Sequence, residues 1–381
     1  MYIRVGIKKQ TIMIRFIFKI IIPSLIFIVS ALAQNTPRPQ DPTLPLSYKS
    51  ENVYFTNSKA NNIKLAGTLT LPNNKRKPAV AILISGSGAQ DRDTNLKPFN
   101  HRPFLVLADY LTRHGIAVLR YDDRGTAESE GNHAEATSAD FATDVEAAID
   151  YLKTRSDIDS SKIGLIGHSE GGLIAPMVAS HNKNVAFTVL IAGIGVNGAT
   201  VLETQSRKAA ELQGIPKTQL DENEKLTSII YGAILKYKDN TKITEVITKG
   251  LNDYKINNPE SMLASMISPQ MINQQLSILK SKWLMYFIRS EPHDFLSKTT
   301  CPVLAINGSK DFQVLPKINL EGIKKGLETA GNKEYTIKEI AGLNHLMQTA
   351  NTGSMHEYGT IEETHAPVSL ELITNWINQR F

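Results

Sequence analysis

Residues 163–176 read "IGLIGHSEGGLIAP". A short apolar run, a Ser169 flanked by glycines and a second apolar run follow without a spacer. That spelling predicts a strand, a sharp turn and a helix, with Gly167 and Gly171 leaving room where the backbones crowd. A serine hydroxyl is a weak nucleophile until a neighbouring base removes its proton. The pentapeptide Gly-x-Ser-x-Gly is common by chance, so the rest of the chain has to supply the base, its orienting acid and the donors for an oxyanion.

Working outward, the same alternation recurs. "AVAILIS", "IAVLRY", "KIGLIG", "FTVLIAG" and "PVLAING" are short and apolar almost throughout, as strands buried on both faces are. Helix-period segments separate them. In 137–154, Phe141, Val145, Ala148, Ile149 and Leu152 share one face, and Thr137 with Asp140 is placed to cap the start. Phe104, Leu105, Ala108 and Leu111 do the same in 101–113. Strands alternating with helices imply an α/β fold with a mostly parallel sheet. The alternating segments "ENVYFTN" and "IKLAGTLTL" before it predict antiparallel strands. Residues 197–295 contain helix-period runs and no convincing strand, which predicts a helical cap inserted between two parts of the core, 49–196 and 296–381.

The base is expected in a loop after a late strand, and the acid between it and the serine. Of nine histidines, His101, His114, His133 and His181 fall out of that order, and His293 precedes any strand-end acid. His168 adjoins the serine and is expected to point elsewhere. His345, in "GLNHLMQ", directly follows the strand-like "YTIKEI", whereas His356 and His365 lie in a polar tail. Asp311 follows the apolar run 302–308 by three residues; Asp294 lies before that strand, at its wrong end. The proposed roles are Ser169 as nucleophile, His345 as base and Asp311 as the group that orients the imidazole. Oxyanion donors are expected from the backbone N–H of Glu170, at a helix N-terminus, and of Ser87, in the "SGSG" turn after 80–85. Asp91-Arg92-Asp93-x-Asn95 resembles half a calcium loop, but Arg102 stands where its last ligand belongs, so no metal is expected there. No His/Cys spacing suggests zinc, and no cofactor is expected.

The first 33 residues carry five basic residues and no acidic one, then an apolar run closing on Ala31-Leu32-Ala33. Only 14 residues separate Lys19 from that site, fewer than the about 20 a spanning helix needs. The segment predicts a cleaved signal peptide and an exported protein, periplasmic or secreted, with no membrane association once it is removed. The full chain has 42 Lys and Arg against 37 Asp and Glu; without the leader it balances. The basic excess is therefore a property of the leader and argues against a nucleic-acid partner. Residues 34–48, rich in proline, predict a linker. The single cysteine, Cys301, opens an apolar run and reads as a buried structural thiol.

Taken in order, "ISGSGAQDRD", "IAVLRYDDRGTAESEG", "IGLIGHSEGG", "VLAINGSKDFQV" and "GLNHLMQ" resemble the α/β-hydrolase superfamily. The similarity is to a bacterial esterase branch near the serine aminopeptidase and dienelactone-hydrolase-like groups, over about residues 50–381. It implies a carboxylesterase with Ser169, Asp311 and His345 as its triad, acting on a small-molecule ester of short acyl chain. Asp122, Arg124 and Gly125 match the family's structural turn. Ser85 stands where many relatives carry histidine, and Ala127 where glycine is common, so the local turn is expected to differ slightly. Met271, Trp283, Met285 and Phe287 are candidates for lining an acyl pocket and equally for ordinary helix packing. Two other readings stand beside the esterase. One is a peptidase that binds a free α-amine through acids such as Glu203, Glu211 and Glu224; the other is a non-catalytic binding protein of the same fold.

Overall fold

A computed structural model describes residues 38–381; the leader and the start of the linker lie outside the described residues. The chain divides into two compact units, residues 198–290 and the remainder.

The larger unit is built on one eight-stranded sheet. β1 (Lys49–Asn57) and β2 (Ile63–Leu71) form an antiparallel hairpin, and β2 runs antiparallel to residues 117–121. In β1, Val53, Phe55 and Asn57 are buried while Tyr54 faces out, the period of two that marks a half-buried strand. β3 (Val80–Ile84), β4 (Ala117–Tyr121), β5 (Ile163–His168), β6 (Val185–Ile191), β7 (Val303–Gly308) and β8 (Tyr335–Ile340) pair in parallel. The order is β1-β2-β4-β3-β5-β6-β7-β8. The mostly parallel sheet with an antiparallel start matches the sequence expectation.

Helices join the strands: α1 (Pro103–Arg113), α2 (Ser138–Lys153) and α3 (Gly171–Ala179) early, then α10 (His293–Leu296), α11 (Pro316–Thr329), α12 (Met355–Tyr358) and α13 (Pro367–Asn378) late. Thr137 and Asp140 form the expected capping box at α2. One apolar cluster brings Leu83, Val118, Ile166, Val189 and Ile306 together with Phe104, Leu107 and Leu111 of α1 and Ile373 and Trp376 of α13. Side-chain alternation turns Ile82, Leu119, Leu165 and Leu190 to the other face, where α2, α3 and α11 pack against the strands. After β3 the chain pairs first on one side, as β4, and then on the other, as β5. Loops leaving β3 and β5 therefore meet at a topological switch point, where α/β sheets place ligands.

Residues 38–48 have no regular structure but are not free. The Arg38 guanidinium donates to the carbonyls of Phe99, Asn100, Gly359 and Ile361 at 2.7–3.1 Å. Gln40 exchanges hydrogen bonds with the backbone of Thr364 and His365. The proline-rich stretch read as a linker is a strap fastened to the sheet unit, because its polar side chains answer loop carbonyls that no strand or helix satisfies.

The smaller unit contains α4 (Gly198–Glu211), α5 (Lys217–Lys236), α6 (Asn240–Asn257), α7 (Met262–Met266), α8 (Pro269–Leu276) and α9 (Lys282–Arg289). Asp239, Ser261, Ser268 and Ser281 accept hydrogen bonds at the N-termini of α6 to α9. Its interior holds Leu226, Ile230, Tyr231, Ile234, Ile243, Ile247 and Leu251. Met271, Met285 and Phe287 are buried in this unit, and Trp283 stacks on Phe287 with ring centroids 5.3 Å apart. No described helix of the chain is long and apolar enough to cross a membrane.

Candidate active site

The turn after β5 has the predicted form. Ser169 adopts φ +55°, a left-handed conformation that costs a non-glycine residue roughly 1–2 kcal/mol. Surrounding contacts enforce it: Ser169 N–H donates to Ile191 O at 2.9 Å, and Gly172 N–H donates to Ser169 O at 2.8 Å. A Cβ on Gly167 would overlap the backbone of Gly171, and one on Gly171 would overlap the carbonyl of Ile84. Gly167→Ala is therefore expected to yield little folded protein, since no side-chain shift relieves a clash with backbone; soluble yield and a thermal unfolding trace check this.

Glu170 heads α3, where its backbone N–H stands at the helix N-terminus. Its carboxyl is buried and accepts from Ser138 Oγ at 2.6 Å. The loop leaving β3 lies against the turn, for a Cβ on Gly86 would sit 3.2 Å from Ser169 Cβ. Ser87, the other expected donor, is the next residue of that loop.

Asp311 and His345 meet. His345 Nδ1 and Asp311 Oδ2 are 2.8 Å apart, with the two residues only 4% and 3% exposed. Asp311 Oδ1 accepts from Gln313 N and Val314 N at 2.8 and 2.9 Å, so both oxygens are fixed. A carboxylate only accepts, which places the proton on Nδ1 and leaves Nε2 with a free lone pair. The His345 loop is held by Asn344, whose Oδ1 accepts from Leu346 N and Gln348 N at 3.0 Å and whose amide donates to Gln348 Oε1. Asp294 lies in α10 and takes no part in this pair.

His168 departs from the sequence reading. It does not point away: its Nε2 donates to the His345 carbonyl at 2.9 Å, and the two rings are 4.7 Å apart. Since a carbonyl only accepts, this bond fixes the Nε2–H tautomer. Burial, and next the His345 ring beside it, push the His168 pKa down to about 3, so the base has an uncharged neighbour. Ser169 follows His168 directly, so the bond ties the nucleophile's turn to the base's loop. Among the described residues Ser169 Oγ makes no hydrogen bond to His345; such bonds commonly tighten only when substrate organises the site.

His365 is also corrected. Although it lies in a polar stretch of sequence it is only 3% exposed, and among the described residues its Nε2 has no partner. Burial drives its pKa down to about 4, below the 6.5 of a free imidazole. Its contribution to stability is thus complete above about pH 6.5 and lost as pH falls toward 4, at no more than about 1 kcal/mol per pH unit. Urea midpoints at pH 7, 6 and 5 should fall accordingly, and His365→Leu should flatten the slope by that amount.

A group of buried acids behind the β3 loop escaped the sequence reading. Arg124 pairs with Asp144 through Nε (2.7 Å) and Nη2 (2.8 Å), and Asn57 donates to the same carboxylate. Asp122 receives Arg92 Nη2 and Nε at 2.5 and 3.0 Å. Asp123 accepts from Ser85 Oγ at 2.6 Å. The sequence signal is the doubled aspartate after β4, of which the family resemblance accounts for Asp122 alone. Ala127 takes φ +47°, keeping the conformation a glycine would have supplied. Asp91 Oδ1 is spent on the N–H groups of Asp93 and Asn95 in its own loop. Among the described residues no cluster of His, Cys, Asp and Glu is grouped to hold a metal.

Comparison with known proteins bears on the family and the fold. The Thermotoga maritima protein "Esterase EstD" is 25% identical over 283 residues, which is 74% of this chain and 58% of that protein. This chain spans about half the length of the curated relatives it matches. Among solved structures, the Pyrococcus furiosus esterase Pf2001 superposes with a TM-score of 0.51 at 15% identity, covering 92% of this chain and 98% of that one. The hypothetical protein PA2218 of Pseudomonas aeruginosa gives 0.51 at 16% identity, covering 93% and 99%. At such identities the structures speak for the fold alone. Residues 102–349, well over half of the chain, match the serine aminopeptidase S33 family, and to that family of α/β hydrolases this chain belongs.

Proposed function

We propose that the protein is a serine carboxylesterase. The observation that carries this reading is the buried Asp311–His345 pair at 2.8 Å, linked through His168 to a Ser169 held at φ +55°. Ser169 Oγ attacks the ester carbonyl while its proton passes to His345 Nε2. Asp311 holds the imidazole in the required tautomer and stabilises its charge. The N–H groups of Ser87 and Glu170 receive the oxyanion, each donor worth about 3 kcal/mol. The tetrahedral adduct collapses, His345 returns the proton to the departing alcohol, and an acyl group remains on Ser169. Water then repeats the sequence and releases the carboxylic acid.

The esterase name of the Thermotoga maritima relative supports the choice of ester over peptide. So does the state of the acids that a peptidase would turn toward a free amine. Glu224 pairs with Arg207 at 2.7 Å, and Glu211 pairs with Arg207 and Lys208. Glu203 is half-buried, its pKa raised by burial and by Glu224. The expected substrate is a short-chain ester. Chain from residue 34 onward should turn over p-nitrophenyl acetate and butyrate faster than aminoacyl p-nitroanilides, and a fluorophosphonate should label Ser169. Faster anilide release would make it a peptidase; neither activity and no label would leave a binding protein. Export by residues 1–33 is part of the same proposal, and recovery of a periplasmic or secreted form beginning at Gln34 tests it.

A further inference from the structure

The loop leaving β3 has no regular structure of its own. It runs through Gly86 and Gly88, the latter at φ +92° with nothing within 4 Å of where a Cβ would be. Its two ends converge on one side chain. Asp123 Oδ1 accepts from Ser85 Oγ at 2.6 Å and Oδ2 accepts from Gln90 N at 2.9 Å, while Asp123 N–H donates to Gln90 O at 3.0 Å. Between those anchors the Gln90 side chain donates to Ser87 O at 3.3 Å. The neighbouring Asp122 holds the next turn through Arg92. Consecutive aspartates at the end of β4 thus clamp residues 85–92, and Gly86 of that span lies against Ser169.

We propose that Asp123 is a positioning residue: its carboxylate bridges Ser85 and Gln90 and so sets the Ser87 N–H at the oxyanion position. The inference rests on the serine-esterase reading above.

The cost of this carboxylate argues that its role is geometric. Asp123 is 8% exposed, and among the described residues no cation pairs with it. Arg92 and Arg124 are engaged by Asp122 and Asp144. Burial is the main cause that lifts its pKa to about 7; Glu170 and Asp144 add to it, and the bonds from Ser85 and Gln90 oppose it. A group placed for stability alone would not be an unpaired acid among acids. Asn at this position is nearly isosteric and removes the charge, but it offers one acceptor oxygen where two donors arrive.

The test compares wild type, Asp123→Asn and Ser85→Ala on p-nitrophenyl butyrate, with affinity for an alkyl boronic acid, urea unfolding at pH 8 and fluorophosphonate labelling of Ser169. Loss of a positioned oxyanion donor predicts a kcat lower by about 10²–10³-fold in Asp123→Asn, with KM little changed. Boronate affinity should weaken with kcat, and the urea midpoint should hold or rise. Ser85→Ala, which cuts the clamp from the loop side, should move kcat the same way by a smaller factor, and it decides the matter if Asp123→Asn fails to fold. Variants with wild-type kcat, or with a kcat loss that tracks lost stability and leaves boronate affinity intact, overturn the inference. If wild type itself neither hydrolyses esters nor takes label at Ser169, the serine-esterase reading has failed instead, and the clamp falls with it.

Discussion

Ser169→Ala and His345→Ala should each lower kcat by about 10⁶-fold, and the double variant should be no slower than either. Removing the serine leaves the imidazole with no hydroxyl to deprotonate. Removing the imidazole leaves the serine protonated and a poor nucleophile. Each loss alone ends covalent catalysis, so the second has nothing further to remove. What survives should be a residual acceleration over water of about 10³–10⁴-fold, supplied by binding and the oxyanion donors. Single-turnover assays on p-nitrophenyl butyrate, with enzyme in excess, reach the needed sensitivity. A double variant much slower than the single ones would mean that the two residues act independently.

Asp311→Asn should cost about 10⁴-fold in kcat with little change in KM. Asp311 Oδ1 is already committed to Gln313 N and Val314 N. An asparagine would keep its oxygen on those two donors and turn its amide N–H toward His345 Nδ1. That nitrogen would then have to accept, moving the imidazole proton to Nε2, where the lone pair for Ser169 is needed. Geometry would survive and the base would not. Proton NMR of the ring and a pH–kcat profile check the tautomer directly, and ester hydrolysis checks the rate. A tenfold effect or less would show that Asp311 only packs the loop.

Much of this site was legible in the sequence because its parts are local. The strand, turn and helix around Ser169 are written in fourteen consecutive residues, and the crowding that demands Gly167 and Gly171 follows from them. Asp311 and His345 were found by chain order and by their places after apolar runs, and the structure brings them together. What the sequence hid depends on partners far along the chain. Nothing near His168 says that it donates to a carbonyl 177 residues later. Nothing near His365 says that a proline-rich strap will cover it, since Gln40 reaches it across 325 residues. Asp122 resembles part of the family's turn and nothing near Asp123 marks it out, because the loop Asp123 clamps is 33 residues upstream. Periodicity reports which face a residue turns, not what it meets there.

The strap at Arg38 bears on the order in which the protein can be finished. Two of its acceptors belong to Phe99 and Asn100 and two to Gly359 and Ile361, so the fastening is half made early and completed only when residues 359–361 have been added. During synthesis the strap can be held on one side only while the later strands of the sheet are still being added. Closure of such distant ends is the slow kind of contact. A chain stopped before residue 359 should leave residues 38–48 more open to proteases than a chain that includes residues 359–361. Protection of residues 38–48 thus reports that residues 359–361 have folded into place against them.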